Sequence, residues 1–144
     1  MSTWIGSPVA NRDYRDPADL HLTWCYMTDE NLEGDRLHLA ELVVDKTKNQ
    51  CKLTDKIYAD IIYKDVWGND SNPIYVDRLQ VTTNVYRFQR KLIENLAYYN
   101  LPVSSTYPIW TPHVTIEGLF KSRESNEMDK HYEFDEIKVY VGRD

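Results

Sequence analysis

Two short motifs of the same pattern, His21-Leu22-Thr23 and His113-Val114-Thr115, carry the side chains best suited to acid–base chemistry. Each motif lies in a segment rich in strand-forming residues, and residues two apart on a strand point to the same side. Each motif should therefore project an imidazole and a hydroxyl together. Two such strands placed side by side would bring two imidazoles and two hydroxyls into one cleft.

This set of groups suits the cleavage of a phosphodiester. A neutral imidazole can take a proton from the attacking oxygen, and a protonated one can give a proton to the leaving oxygen, because imidazole titrates near neutral pH. Threonine hydroxyls can donate hydrogen bonds to the non-bridging phosphate oxygens. The sequence thus predicts catalytic roles for the four polar side chains of the motifs: His21, Thr23, His113 and Thr115. The mechanism requires neither a metal ion nor a cofactor.

The alternative is that these histidines are structural, as an isolated histidine in a strand usually is. Repetition of the whole motif, in two apolar strands, favours catalysis. The other two histidines lack such a setting, since His38 lies among acidic residues of a predicted helix and His131 follows a charged loop. The two cysteines, Cys25 and Cys51, do not have metal-ligand spacing.

Composition limits the class of ligand and the location. The 144 residues fit one domain, and a net charge of −6 argues against binding of duplex DNA or long RNA. A small anionic ligand remains compatible, because salt screens a distant acidic surface. No apolar run is long enough to span a membrane and no signal peptide is evident, so we expect a cytoplasmic protein.

Hydrophobic periodicity and turn residues predict the order of elements. They are an extended arm at 1–19 with a short strand at 4–9, a strand at 20–27, a helix at 35–46 with Asp35 as N-cap, strands at 57–67 and 74–81 joined by a turn at 68–73, a helix from Asn84 that stops before Pro102, a strand at 110–119, a polar loop at 121–130 and a last strand near 134–141. This order indicates one α+β domain, 1–144, with an antiparallel sheet and helices packed on one side.

The segments LHLTW at 20–24 and PHVTIEG at 112–118 resemble the two signature strands of the 2H phosphoesterase superfamily, also called the LigT-like or cyclic phosphodiesterase fold. The helix, strand hairpin and helix between them resemble the family's usual order of elements. The resemblance implies a compact bilobal fold with antiparallel sheets lining a central cleft and helices on the outer side. In such a fold the two motif histidines alternate as acid and base, and the two threonines hold the phosphate.

The chain departs from the family at its start, where members usually place a strand and a helix before the first motif. Only about twenty residues precede His21 here. Compact members are frequent among viruses, and the chain resembles bacteriophage anti-CBASS nucleases that act on cyclic di- and trinucleotides. The resemblance therefore implies a viral counter-defence enzyme working in the host cytoplasm.

Substrate contacts are expected from aromatic and basic residues in predicted loops and at strand ends, because rings stack on bases and arginine binds phosphate. The predicted substrate-binding residues are Tyr14, Trp67, Trp110 and Arg12, and further candidates are Trp4, Arg15 and Lys121. Each ring could equally cover an edge of the core.

Three functions are compatible with these motifs. The first is a metal-independent phosphodiesterase that hydrolyses cyclic oligonucleotide messengers. The second is a phosphodiesterase acting on RNA 2′,3′-cyclic phosphates or on 2′,5′-oligoadenylate. The third is a binding protein that sequesters a nucleotide without turnover. The partner in each case is a small nucleotide, and the sequence leaves the linkage and the oligomeric state open.

Overall fold

The computed structural model of the protein describes residues 2–11, 20–54, 56–104, 109–116 and 130–142. In chain order, its helices and strands are β1 Thr3–Pro8, β2 His21–Thr28, α1 Gly34–Cys51, β3 Ile57–Asn69, β4 Asn72–Gln80, α2 Thr83–Tyr98, β5 His113–Ile116, β6 His131–Phe134 and β7 Lys138–Val141. The α+β class is confirmed. Neither helix in this described part of the chain is long and apolar enough to cross a membrane.

The strands form one seven-stranded sheet in the order β6-β3-β4-β5-β2-β1-β7, and every neighbouring pair is antiparallel. The sheet is curled. The residues between β6 and β7 number only three, 135–137, and a connection this short spans at most about 14 Å. The two edges of the sheet must therefore lie close together.

The end of β1 shows the same curl. Val9 forms a bridge with Phe134 of β6, and the amide of Ala10 donates to the carbonyl of Glu133 at 2.7 Å. The sheet is therefore a half-barrel. The single strand predicted near 134–141 is wrong, because β6 pairs with β3 while β7 pairs with β1 at the other edge.

Helix α2 forms as its sequence predicts. Thr82 caps it by accepting a hydrogen bond from the amide of Val85 at 3.3 Å. The helix buries four apolar residues at helical spacing, namely Val85, Phe88, Leu92 and Leu96. This apolar stripe packs on the sheet, and it explains why the helix was recognisable from periodicity alone.

Helix α1 is longer than predicted and begins differently. It continues five residues past 46, because Thr47 and Cys51 extend its buried stripe. The Thr47 hydroxyl is buried without an unsatisfied donor, since it donates to the carbonyl of Val43 at 2.7 Å. Asp35 is not the N-cap. That position belongs to Glu33, and Asp35 lies in the first turn, where a negative charge favours the helix dipole.

The helices cover one face of the sheet, which we call the helix face. Trp24 is completely buried there and contacts Phe88 of α2 edge-on, with ring centroids 5.0 Å apart. Its indole N–H donates to the hydroxyl of Ser7 at 2.9 Å, so this large side chain is buried without an unsatisfied donor. The opposite face of the sheet carries the histidine motifs, and we call it the motif face.

The β3–β4 hairpin is confirmed, but its turn is shorter than predicted. The strands run to Asn69 and resume at Asn72, so two residues form the turn instead of six. The Asn69 side chain accepts hydrogen bonds from the amides of Ser71 and Asn72, which is the local satisfaction that favours asparagine in turns. Because these strands are longer than β5, the hairpin extends past the end of β5.

Candidate active site

The two motif strands are direct neighbours in the sheet. In the antiparallel pair formed by β2 and β5, Leu22 lies opposite Val114. Both residues are completely buried and point to the helix face, so the residues flanking each of them point to the motif face. The structure thus brings four partly exposed polar side chains together, and we call them the quartet: His21, Thr23, His113 and Thr115.

The register gives the quartet an approximate twofold arrangement. Because partners in an antiparallel pair step in opposite directions, each histidine lies opposite the threonine of the other motif: His21 with Thr115, and His113 with Thr23. The two imidazoles therefore occupy diagonal corners. A group held between them would meet one imidazole on each side, as a displacement with attacking and leaving oxygens in line requires.

His113 is held in a defined orientation. Its Nδ1 lies 2.8 Å from the carbonyl oxygen of Thr111, so this nitrogen carries the hydrogen and Nε2 is the acceptor of the neutral ring. Burial lowers the pKa of His113; the Thr111 carbonyl opposes this shift, and the nearby charges of His21 and Arg78 add to it. At neutral pH His113 is therefore a proton acceptor.

Trp67 lies beside His113 on the motif face. The two ring centroids are 4.4 Å apart at an interplanar angle of 63°, and the Trp67 indole donates to Asp65 at 3.0 Å. This hydrogen bond fixes the ring against the imidazole while leaving the tryptophan partly exposed. Of the four predicted substrate-binding residues, Trp67 is the one that the described structure places next to the quartet.

Trp110 has a different position. Its ring stacks on Trp24 with a centroid distance of 5.3 Å, on the helix face, and its indole donates to the backbone carbonyl of Thr23 at 3.1 Å. These contacts brace the first motif from behind. The other predicted substrate residues, Arg12 and Tyr14, lie outside the described residues, as do Arg15 and Lys121.

Trp4, a further candidate for base stacking, packs against other rings of the protein. Its ring lies 4.5 Å from that of His21 and 4.4 Å from that of Tyr140, and only 7% of its surface is exposed. The ring passes directly over Gly6, where an added Cβ would come within 2.3 Å of it. Trp4 therefore positions His21, and Gly6 provides the space that it needs.

Arg78 is a charged residue of the motif face that the sequence analysis did not single out. It lies directly opposite His113 in the β4–β5 pair and donates to the hydroxyl of Tyr63. It was detectable as the one basic residue of the predicted strand at 74–81. Its position beside a motif depended on the pairing of β4 with β5, which no local pattern reveals.

The remaining titratable candidates lie elsewhere. His38 is exposed on α1, and His131 is exposed on β6 with Glu133 at 3.7 Å. Both cysteines are buried, and burial raises the pKa of Cys25 to about 12, so this thiol stays protonated. Among the residues that the structure describes, no three His, Cys, Asp or Glu side chains cluster as metal ligands.

Comparison with known proteins shows which fold the chain resembles. No protein-family model and no curated protein matches the chain. Among solved structures, the chain resembles a crystal structure of a phosphoesterase with a TM-score of 0.59, over 99% of this chain and 88% of that one. The chain is similar in fold to a phosphoesterase. Because the two sequences are only 13% identical, the likeness concerns the fold alone.

Substitution of Gly6 by alanine tests the positioning of His21. The new methyl group collides with the Trp4 ring, so we expect a loss of about 1–3 kcal/mol in the free energy of unfolding and a displaced His21. Urea denaturation and the NMR signals of His21 measure the two effects. In the double variant G6A/W4F the smaller ring should restore much of the stability. Unchanged NMR signals of His21 in G6A would contradict the role of Trp4 in positioning His21.

Proposed function

We propose that the protein is a phosphodiesterase of the 2H type, in which the two histidines of the quartet act as general base and general acid and the two threonines hold the phosphate. The observation that carries the proposal is the antiparallel register of β2 and β5, which sets two imidazoles at diagonal corners of one site. The similarity of fold to a phosphoesterase supports it.

In the proposed mechanism each histidine transfers one proton. Neutral His113 takes the proton of a water molecule through Nε2 as the water oxygen forms its bond to phosphorus. Protonated His21 gives its proton to the bridging oxygen as the bond between that oxygen and phosphorus breaks. The hydroxyls of Thr23 and Thr115 donate to the non-bridging oxygens, whose charge grows in the transition state.

The two halves of the sheet take the place of two lobes in this proposal. The seam between β5 and β2 divides β6-β3-β4-β5 from β2-β1-β7, and each half contributes one histidine and one threonine. This arrangement agrees with the pseudo-symmetric, bilobal site of the 2H family. Each lobe then presents one proton-transfer group to the same phosphate.

The proposed substrates are cyclic oligonucleotide messengers, such as cyclic di- and trinucleotides, and the proposed setting is viral counter-defence. Support comes from the net charge of −6, which disfavours long nucleic acids, and from the exposed part of Trp67, which can stack on a base.

A substrate panel tests the proposal. The protein is incubated in EDTA with cyclic di- and trinucleotides, 2′,5′-oligoadenylate and nucleoside 2′,3′-cyclic phosphates, and products are separated by chromatography. We expect cleavage of the cyclic oligonucleotides that persists in the chelator. Exposed His38 provides the control, since His38→Ala should cleave like the wild type.

Each other outcome contradicts a stated part of the proposal. Cleavage restricted to 2′,5′- or 2′,3′-linked substrates would reject the cyclic oligonucleotides and retain the phosphodiesterase. Loss of cleavage in EDTA would reject the metal-independent mechanism. Tight binding without turnover would reject the enzyme and favour a nucleotide-sequestering protein.

A further inference from the structure

We propose that Arg78 forms a second anion-binding subsite beside the quartet, which holds a non-scissile phosphate of the same ligand and so selects oligonucleotides over substrates with one phosphate. The inference rests on the proposed function and specifies the substrate class. It starts from the position of Arg78 across the sheet.

Arg78 extends the row of polar side chains that crosses the motif face. The pairing of strands places Tyr63, Arg78 and His113 side by side on β3, β4 and β5. Neighbouring strands are about 4.8 Å apart, so Arg78 lies roughly one strand spacing beyond His113, on the side away from β2. Successive phosphates of a nucleotide chain are separated by one ribose, which is a comparable distance.

Within the described part of the chain, the charge of Arg78 is incompletely neutralised. A carboxylate oxygen of Asp65 lies 4.0 Å from its Nη1, and Asp65 already accepts hydrogen bonds from the Trp67 indole and the Val66 amide. The Nε of Arg78 is buried and has no hydrogen-bond partner among the described residues. A ligand would therefore contact Arg78 through the part of its side chain that remains exposed.

The orientation of the guanidinium is set before any ligand arrives. Its Cζ lies 5.1 Å from the centre of the Tyr63 ring, and its Nη1 donates to the hydroxyl of that residue. About a third of the side chain is exposed, so solvent and ligands can reach it. A planar, pre-oriented guanidinium with unused donors is well suited to phosphate.

No other basic side chain of the central strands can do the same. Within β1 to β5, whose residues are all described, the lysine and arginine residues are Lys64 and Arg78. Lys64 points to the other face, where it forms an ion pair with buried Asp77 at 2.9 Å. Arg78 is thus the cation that these strands present beside the quartet.

Binding measurements test the subsite without requiring turnover. In the H21A/H113A background, calorimetry compares a cyclic trinucleotide with a dinucleoside monophosphate, which has one phosphodiester. Adding Arg78→Gln should weaken binding of the trinucleotide about tenfold or more and of the monophosphate by less than about twofold. Arg87→Gln on the exposed surface of α2 makes the same charge change and should alter neither affinity.

The position of Arg78 has its own readout in the intact protein. Removing a positive neighbour favours the imidazolium, so Arg78→Gln should raise the pKa of His113 in an NMR titration. Arg78→Lys keeps the charge and should leave this pKa low while losing the two-pronged contact with phosphate. An unchanged pKa in Arg78→Gln would overturn the placement.

The remaining outcomes separate this inference from the proposed function. If Arg78→Gln weakened the binding of both ligands equally, Arg78 would be a contact of the scissile phosphate and the second subsite would be overturned. The second subsite would also be overturned if neither ligand bound more weakly, or if the trinucleotide did not bind at all. Selective weakening in a protein whose wild type cleaves nothing would retain the subsite and reject the enzyme.

Discussion

Replacement of His113 by alanine should lower kcat on the best substrate by about 10²- to 10⁴-fold, which is the contribution of a positioned general base. The ring is oriented by the Thr111 carbonyl and kept neutral by its surroundings, and alanine removes the acceptor entirely. His21→Ala should cause a loss of the same order, because the leaving oxygen then departs without its proton. The kinetics are measured under single-turnover conditions.

The double variant H21A/H113A distinguishes a shared mechanism from two separate effects. Residues that act in one step are not additive, so the double variant should be little slower than the poorer single variant. Urea denaturation of each variant separates loss of chemistry from loss of fold. Single variants that retain activity within a few-fold of the wild type would show that the imidazoles do not transfer the protons.

Removal of either threonine hydroxyl should cost about 2–4 kcal/mol of transition-state stabilisation, the scale of one deleted oxyanion donor. Thr23→Val and Thr115→Val keep the size and branching of the side chain, and both positions are partly exposed, so the fold should tolerate them. The loss should appear in kcat, since the hydroxyls donate most strongly when charge develops on the phosphate oxygens.

Serine variants provide the conservative comparison. Thr23→Ser and Thr115→Ser keep the donor and should retain most of the activity. Thr83→Val, at the exposed start of α2, deletes a hydroxyl remote from the motif face and should leave kcat unchanged. If the valine variants raised KM with kcat intact, the threonines would contribute to ground-state binding only.

The sequence-based predictions were accurate where an element depends on residues close together in the chain, and less accurate where it depends on residues far apart. Helix α2 is bounded by a local cap and by one apolar stripe, and its buried residues were all recognisable. Helix α1 is longer than predicted because Thr47 and Cys51 are buried against residues remote in sequence. One of these residues is Asn95, which donates a hydrogen bond to Thr47 at 2.8 Å. No window of adjacent residues contains that contact.

The site shows the same division. The sequence by itself determined that each motif presents a histidine and a threonine on one side of a strand, because strand periodicity is local. Only the tertiary structure decided that Leu22 lies opposite Val114, and this one pairing makes two motifs into one quartet. A shift of one residue would have turned a motif toward the core.

Tertiary structure also decided which neighbours surround the quartet. Trp4 reaches His21 because Gly6 leaves room beneath the ring, and Arg78 stands beside His113 because β4 pairs with β5. Trp110, which the sequence offered as a substrate-binding residue, stacks on Trp24. These contacts join residues far apart in the chain, so they depend on strand order and sheet curl, which the periodicity of a single segment does not encode.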